Sequence, residues 1–291
     1  MVQIGQGVSG PILLIEKGKY KGLVQKRLHL TIDEANNLRN LGDINEIGFP
    51  YPRNYILPSD SSTTKAPLIA NANNWRELDT LQYIKANRIQ GCAILEDFEL
   101  SANEVKLYFA KYDFNLYDWA LSKFGTQATE QTWMCIYFQC LFAMYTLESN
   151  GIYHMDCHGR NFLVRRVKNP TPKFYLIDGI TYQLPPCEWE VVLTDFGHSI
   201  NSNREYFNDV SEKNFHYYIK NFDITMFLTH FNLSYLDFYS RHLGEGGVTY
   251  KFKLNEQLTT LIDMAKQSFP APSVSVCLKD IFSKVFKTYI I

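Results

Sequence analysis

The chain has 291 residues, enough for one large or two coupled domains around a substantial apolar core. Its 29 Lys and Arg stand against 30 Asp and Glu, a net charge of −1 that excludes a nucleic-acid platform or a membrane-surface protein acting through bulk charge. Its six cysteines form no CxxC pair, which argues against a zinc site or a disulfide framework and for reduced thiols. No basic-then-apolar leader opens the chain and no segment reaches the roughly 18 apolar residues of a span, so a soluble, intracellular protein without a membrane span is expected.

The opening stretch IGQGVSGPILLIEKGKYKGLVQKRLHL alternates short apolar runs with glycine-containing breaks, which predicts a hairpin followed by a third strand. Only four residues precede Gly5, so the first strand is expected to be short. Residues 41–70 hold four of the eleven prolines and a Ser/Thr cluster, the composition of an irregular excursion. In NNWRELDTLQYIKAN, Leu78, Leu81 and Ile84 recur at helical spacing behind a capping Asn, and the strand-like runs GCAILEDFEL and EVKLYFAKY follow. From about residue 114 the pattern becomes helical. TEQTWMCIYFQCLFAMYTLESNG is apolar around most of its circumference, as a core helix is, and Gly151 ends it. KFYLIDGITYQLP places Asp178-Gly179 between two alternating runs, the residue pair of a two-residue type I′ hairpin turn. Beyond Asp223 the pattern is mainly helical.

The polar cluster lies in YHMDCHGRNFLV, residues 153–164. It reads His154-x-Asp156-x-x-x-x-Asn161, and 34 residues after Asn161 comes Asp195-Phe196-Gly197 behind the strand-like VVL. Upstream, in order, stand Gly5-x-Gly7-x-x-Gly10, Lys26 sixteen residues later, and Glu77. This series resembles the protein kinase superfamily, with its glycine-rich lid, strand lysine, helix glutamate, catalytic loop and D-F-G. The likeness covers about residues 1–230, ending with NFDITMF, which is similar to the helix whose aspartate anchors the catalytic loop.

A GxGxxG run also occurs in Rossmann turns, but here Ile12, Leu13 and Leu14 continue it as a strand, so a β-hairpin lid is expected. A lysine ending LVQK reads equally as a solvated surface residue. The resemblance implies instead that Lys26 grips the α- and β-phosphates of ATP and pairs with a glutamate. Glu34, Glu46 and Glu77 compete for that pairing, and only Glu77 leads a helix with apolar i+4 and i+7 positions.

The resemblance further implies a bilobal α+β fold, with a small β-rich N-lobe over residues 1–112 and a larger, mostly helical C-lobe over 113–291 carrying a hairpin insertion at about 165–190. ATP would be held by Gly5, Gly7, Gly10, Ile12, Lys26, Glu77, Phe109, Ala110 and Tyr112, the last three as back wall and hinge. Asp156 would orient the acceptor hydroxyl and take its proton, Asn161 and Asp195 would hold Mg²⁺, and His154 would pack against Phe196 and Leu81 without doing chemistry. His158 stands at a phosphate-contacting position, and a histidine there is also similar to aminoglycoside-type small-molecule kinases.

The chain departs from the pattern in its long hairpin before D-F-G, its Ser/Pro-rich insertion and the missing A-P-E after Gly197. These departures resemble the divergent serine/threonine protein kinases of large cytoplasmic DNA viruses, which would place the protein in host cytoplasm or virion. A protein substrate, ATP and Mg²⁺ are therefore expected, and no nucleic acid. A small-molecule phosphotransferase and a non-catalytic pseudokinase scaffold remain as alternatives. Met155 stands where many switchable kinases carry a phosphate-receiving arginine, so activity independent of phosphorylation at Ser199, Ser202, Tyr206 or Ser211 is expected.

Overall fold

The structure, a computed structural model, describes residues 1–7, 10–29, 74–101, 104–203, 222–244, 247–250, 252–268 and 278–291. The expected excursion at 41–70, the competing glutamates Glu34 and Glu46, and the hydroxyls of Tyr206 and Ser211 lie outside the described residues. The chain is mixed α+β and divides into two compact units. One comprises Met1–Lys111 and Asp195–Asp209, the other Tyr112–Thr194 and Val210–Ile291.

The first unit is built on an antiparallel sheet of β1 (Val2–Gly7), β2 (Gly10–Leu14), β3 (Val24–His29), β4 (Leu95–Leu100) and β5 (Glu104–Phe109), in the order β1-β2-β3-β5-β4. Gly7 pairs with Gly10, so β1 and β2 form a hairpin, and a register shift between Gln3 and Gly5 marks a bulge in β1. Helix α1 (Asn74–Ala86) follows the expected spacing: Leu78, Leu81 and Ile84 are buried with Leu28, Val105 and Leu107 of the sheet. Residues 195–209 group with this unit although the sequence reading places D-F-G in the C-lobe. The turn Phe196–His198 lies against α1, and the Ser199 hydroxyl bonds Phe196 O and Thr80 Oγ1 at 2.6 and 3.2 Å. Ser199 is fully buried, so this hydroxyl is closed to a modifying enzyme in the folded unit.

In the second unit β6 (Phe114–Asn115), β8 (Phe162–Arg166) and β11 (Trp189–Leu193) form a small sheet, with β7 (Ile152–Tyr153) preceding the polar loop. Three helices intervene, α2 (Leu116–Leu121), α3 (Lys123–Gln127) and α4 (Glu130–Ser149). Helix α4 starts where the Thr129 side chain accepts the Thr132 N–H and stops before Gly151, whose φ of +68° only glycine adopts without strain. It is buried on nearly every side. Trp133 meets Trp119 at 5.2 Å between centroids, and Phe138 meets Phe282 and Phe286 at 5.0 Å each.

Strands β9 (Lys173–Ile177) and β10 (Ile180–Leu184) form the expected hairpin. Ile177 pairs with Ile180, leaving Asp178 and Gly179 at φ +51° and +80° as the type I′ turn requires. A helical run over 222–230 buries Ile224, Phe227 and Leu228, and α5 (Leu233–His242), α6 (Glu256–Ser268) and α7 (Leu278–Val285) complete the helical part. Among the described residues no helix is long and apolar enough to cross a membrane.

Candidate functional site

The first unit brings three sequence-predicted residues together. Lys26 Nζ lies 2.7 and 2.9 Å from the two Glu77 oxygens and 2.7 Å from Asp195 Oδ1. Strand β3 supplies the lysine, the first turn of α1 the glutamate, and the chain returning after residue 194 the aspartate. Glu77 is 2% exposed, and the Lys26 ammonium is the partner that meets its carboxyl there. Burial pushes the Lys26 ammonium down, but Glu77 and then Asp195 reverse the effect and hold it above its ordinary value. Burial, with the neighbouring Asp195 charge, holds the Glu77 carboxyl above its ordinary value, and Lys26 offsets only part of the rise. The result is a fixed cation whose two carboxylates differ in access, since the Asp195 side chain is 44% exposed.

Gly5 sits where β1 resumes its pairing, opposite Ile12. A Cβ built on Gly5 would meet only the Ile12 side chain, at 3.7 Å, an ordinary contact. The fold therefore accepts alanine there. Phe109 is buried at the end of β5, Ala110 is half-buried after it, and Tyr112 opens the second unit with its ring 5.2 Å from the Arg165 guanidinium carbon.

The polar loop of the second unit is held from within that unit. Asp223 accepts the backbone N–H groups of His154 at 2.6 Å and Met155 at 2.7 Å. Met155 has φ +64°, a left-handed conformation costing a methionine about 1–2 kcal/mol. The buried carboxylate offsets that strain by fixing both amides. His154 is fully buried, donates through Nε2 to Thr194 O at 2.8 Å, and accepts the Asp156 N–H through Nδ1 at 3.3 Å. His154, Cys157 and Asp223 have ligand atoms within 4.8 Å of one another. These hydrogen bonds already occupy both ring nitrogens and the carboxylate, so the cluster is a structural clasp and not a metal centre. Asp223→Ala should orphan two buried N–H groups and cost about 2–5 kcal/mol, read as a loss of several degrees in thermal midpoint.

The clasp presents Asp156. Asn161 Nδ2 donates to Asp156 O and to Asp156 Oδ2, each at 2.9 Å, and His158 Nε2 lies 3.4 Å from the same Oδ2. Both amide hydrogens of Asn161 are thereby used, which turns its carbonyl oxygen away from Asp156. His158 also accepts the Arg160 N–H through Nδ1 at 3.2 Å and so caps the turn Gly159–Asn161. Burial alone would raise the Asp156 carboxyl, but the His158 hydrogen bond, the neighbouring imidazoles and Asn161 carry it below the usual aspartate value. It stays ionised, as a proton acceptor must. Gly159 has a steric reason: a Cβ there would lie 2.3 and 2.4 Å from the Tyr117 ring, which its hydroxyl pins to His230 O at 2.9 Å.

Asp195 has φ +65°, so two of the four described non-glycine residues with positive φ, Met155 and Asp195, belong to the predicted motifs. The sequence reading missed His158 as a partner of Asp156. The signal was available, because a polar side chain two residues after the aspartate in a tight turn points back along it. For a hard cation the donors fit in kind: Asn161 offers an amide oxygen and Asp195 a half-exposed carboxylate, both of which suit Mg²⁺. The chain matches no protein-family model and no curated protein.

Proposed function

We propose that the chain is an ATP- and Mg²⁺-dependent protein kinase that transfers the γ-phosphoryl group to a protein hydroxyl, of serine or threonine. The observation that carries this reading is Lys26 held by Glu77 and Asp195 in one unit, while the other unit independently supports an ionised Asp156 with Asn161 and His158. A structural ion pair alone explains the first group, but not why a second, strained loop exposes an aspartate beside an asparagine. In this reading Lys26 binds the α- and β-phosphates, and Asp156 aligns the acceptor hydroxyl and takes its proton. Asn161 and Asp195 would each lend an oxygen to Mg²⁺, which supplies charge neutralisation at the phosphates. Gly5, Gly7 and Gly10 let the lid backbone approach them, and Phe109, Ala110 and Tyr112 would border the adenine.

The test is incubation with γ-labelled ATP, Mg²⁺ and a panel of proteins and small metabolites. Label on serine or threonine that disappears in Lys26→Ala supports the reading. Label confined to a metabolite makes the chain a small-molecule phosphotransferase, and no label on anything overturns the enzyme. Gly5→Ala is a separate check. Its thermal midpoint should stay within about a degree of the parent, because the added methyl meets only Ile12. Its affinity for ATP should fall about tenfold, near 1.4 kcal/mol, because the methyl takes the space the lid offers a phosphate. Equal affinities in calorimetry would remove Gly5 from the lid.

A further inference from the structure

The arginines described in the second unit are paired with carboxylates, with one exception. Arg165 meets Glu190, Arg166 meets Glu188 at 2.7 Å and Arg241 meets Asp237 at 3.1 Å. Arg160 is exposed and forms no ion pair among the described residues. Its guanidinium rests on tyrosine instead. Nη2 donates to the Tyr239 hydroxyl, and the guanidinium carbon lies 5.7 Å from the centre of the Tyr239 ring. Tyr239 is itself stacked on Tyr235, one turn earlier in α5, at 6.1 Å and 11°, and meets Tyr117 of α2 at 5.1 Å. Tyr117 is the ring against which Gly159 is pressed, so turn and aromatic platform are locked to each other. The backbone N–H of Arg160 is fixed by His158 Nδ1, and the next residue, Asn161, donates to Asp156. Asp118 attracts the guanidinium through space, less than the Tyr239 hydroxyl does, and that carboxylate already takes the Asn115 amide at 2.7 Å. Arg160 therefore keeps N–H donors for an outside acceptor, and its planar fork matches a carboxylate.

We propose that Arg160 is a specificity-determining residue, which binds the carboxylate of an aspartate or glutamate close in sequence to the hydroxyl that the substrate protein presents to Asp156. The inference rests on the kinase reading and names the substrate class of that site. Asp156 and Arg160 belong to one short loop and are joined through Asn161, so a substrate segment that brings its hydroxyl to Asp156 runs beside the guanidinium. In an extended segment each residue advances about 3.3 Å, which leaves side chains a few positions from the hydroxyl within reach of an arginine. A lysine or arginine at that substrate position would be repelled, and a neutral residue would gain nothing from Arg160. The tyrosine platform holds the guanidinium before substrate arrives, so less side-chain freedom is lost when the carboxylate binds.

The experiment takes two readings on the full chain, binding of fluorescent peptides by anisotropy and transfer from γ-labelled ATP with Mg²⁺. The peptides share a single serine in a neutral frame and carry glutamate, glutamine or lysine at each nearby position in turn. At one or two positions glutamate should raise both affinity and kcat/KM about tenfold over glutamine, and lysine should lower them. In Arg160→Ala the ratio of glutamate to glutamine should fall to near one. In Arg160→Glu the order should invert in favour of lysine, a change that the loss of a merely structural arginine would not produce, and Arg160→Lys should keep part of the preference. Transfer without a preference for glutamate at any position, or a preference unaltered in Arg160→Glu, overturns the inference and leaves the kinase reading standing. Binding in the expected order without transfer to any peptide sustains the acid-binding residue and overturns the kinase reading, whereas neither binding nor transfer overturns both.

Discussion

Asp156→Asn is expected to keep nucleotide binding and lose phosphoryl transfer by a factor of about 10² or more, equivalent to about 2.7 kcal/mol of transition-state stabilisation. Binding should survive because the residues proposed to grip the phosphates, Lys26 with Glu77, belong to the other unit and are held there by each other. The loop should survive as well, since its backbone is fixed by Asp223 and by His154. An asparagine can still receive one donor on its carbonyl oxygen, but its amide cannot accept a proton and would face Asn161 Nδ2 or His158 if rotated. Transfer and ATP affinity measured on the same preparations should therefore separate. If both fall together, or if transfer persists, Asp156 is not the acceptor-orienting residue. The depressed carboxyl adds a pH dependence. A carboxylate whose folded value lies below its unfolded one contributes stability that is present above the unfolded value and is lost as pH falls through the folded one. The parent's transfer rate should thus hold down to acid below the usual aspartate range, until other groups unfold the chain.

The pairing of Lys26 with Glu77 was legible only in part: the resemblance supplied the expectation that this lysine pairs with a glutamate, and helical periodicity named the one glutamate that leads an apolar face. Asp178-Gly179 was legible for a different reason: only a turn with two positive φ angles explains that pair between alternating runs. Contacts far apart in the chain were not legible. No local pattern shows that residues 195–203 turn back to α1, since that follows from Asp195 meeting a cation 169 positions earlier and Ser199 meeting Thr80. The Asp223 clasp was suggested only by likeness, because its partners are backbone amides, which have no sequence signature. The two bonds by which Gln139 ties α4 to Trp189 and Val191 of β11 were equally hidden, since they appear only when helix and strand are packed.

Asp195→Asn should abolish most of the Mg²⁺-dependent part of ATP binding while sparing the metal-independent part. Lys26 keeps both Glu77 contacts in this variant, at 2.7 and 2.9 Å in the parent, so the cation proposed for the phosphates stays in place. A neutral amide in place of the carboxylate cannot balance the charge of a divalent ion beside several phosphate oxygens. Folding should be little affected, because the Asp195 side chain is 44% exposed and its contact with Lys26 is the more solvated of the two. The measurement is the thermal shift produced by ATP with and without Mg²⁺. In the parent, added metal should strengthen binding at least tenfold, about 1.4 kcal/mol at saturating nucleotide, and raise the midpoint accordingly. In Asp195→Asn the two curves should nearly coincide at the metal-free value, and in Lys26→Ala both shifts should shrink, because the phosphate grip itself is gone. An undiminished metal-dependent shift in Asp195→Asn would sink the assignment of that carboxylate to Mg²⁺ and leave it as a structural partner of Lys26 alone.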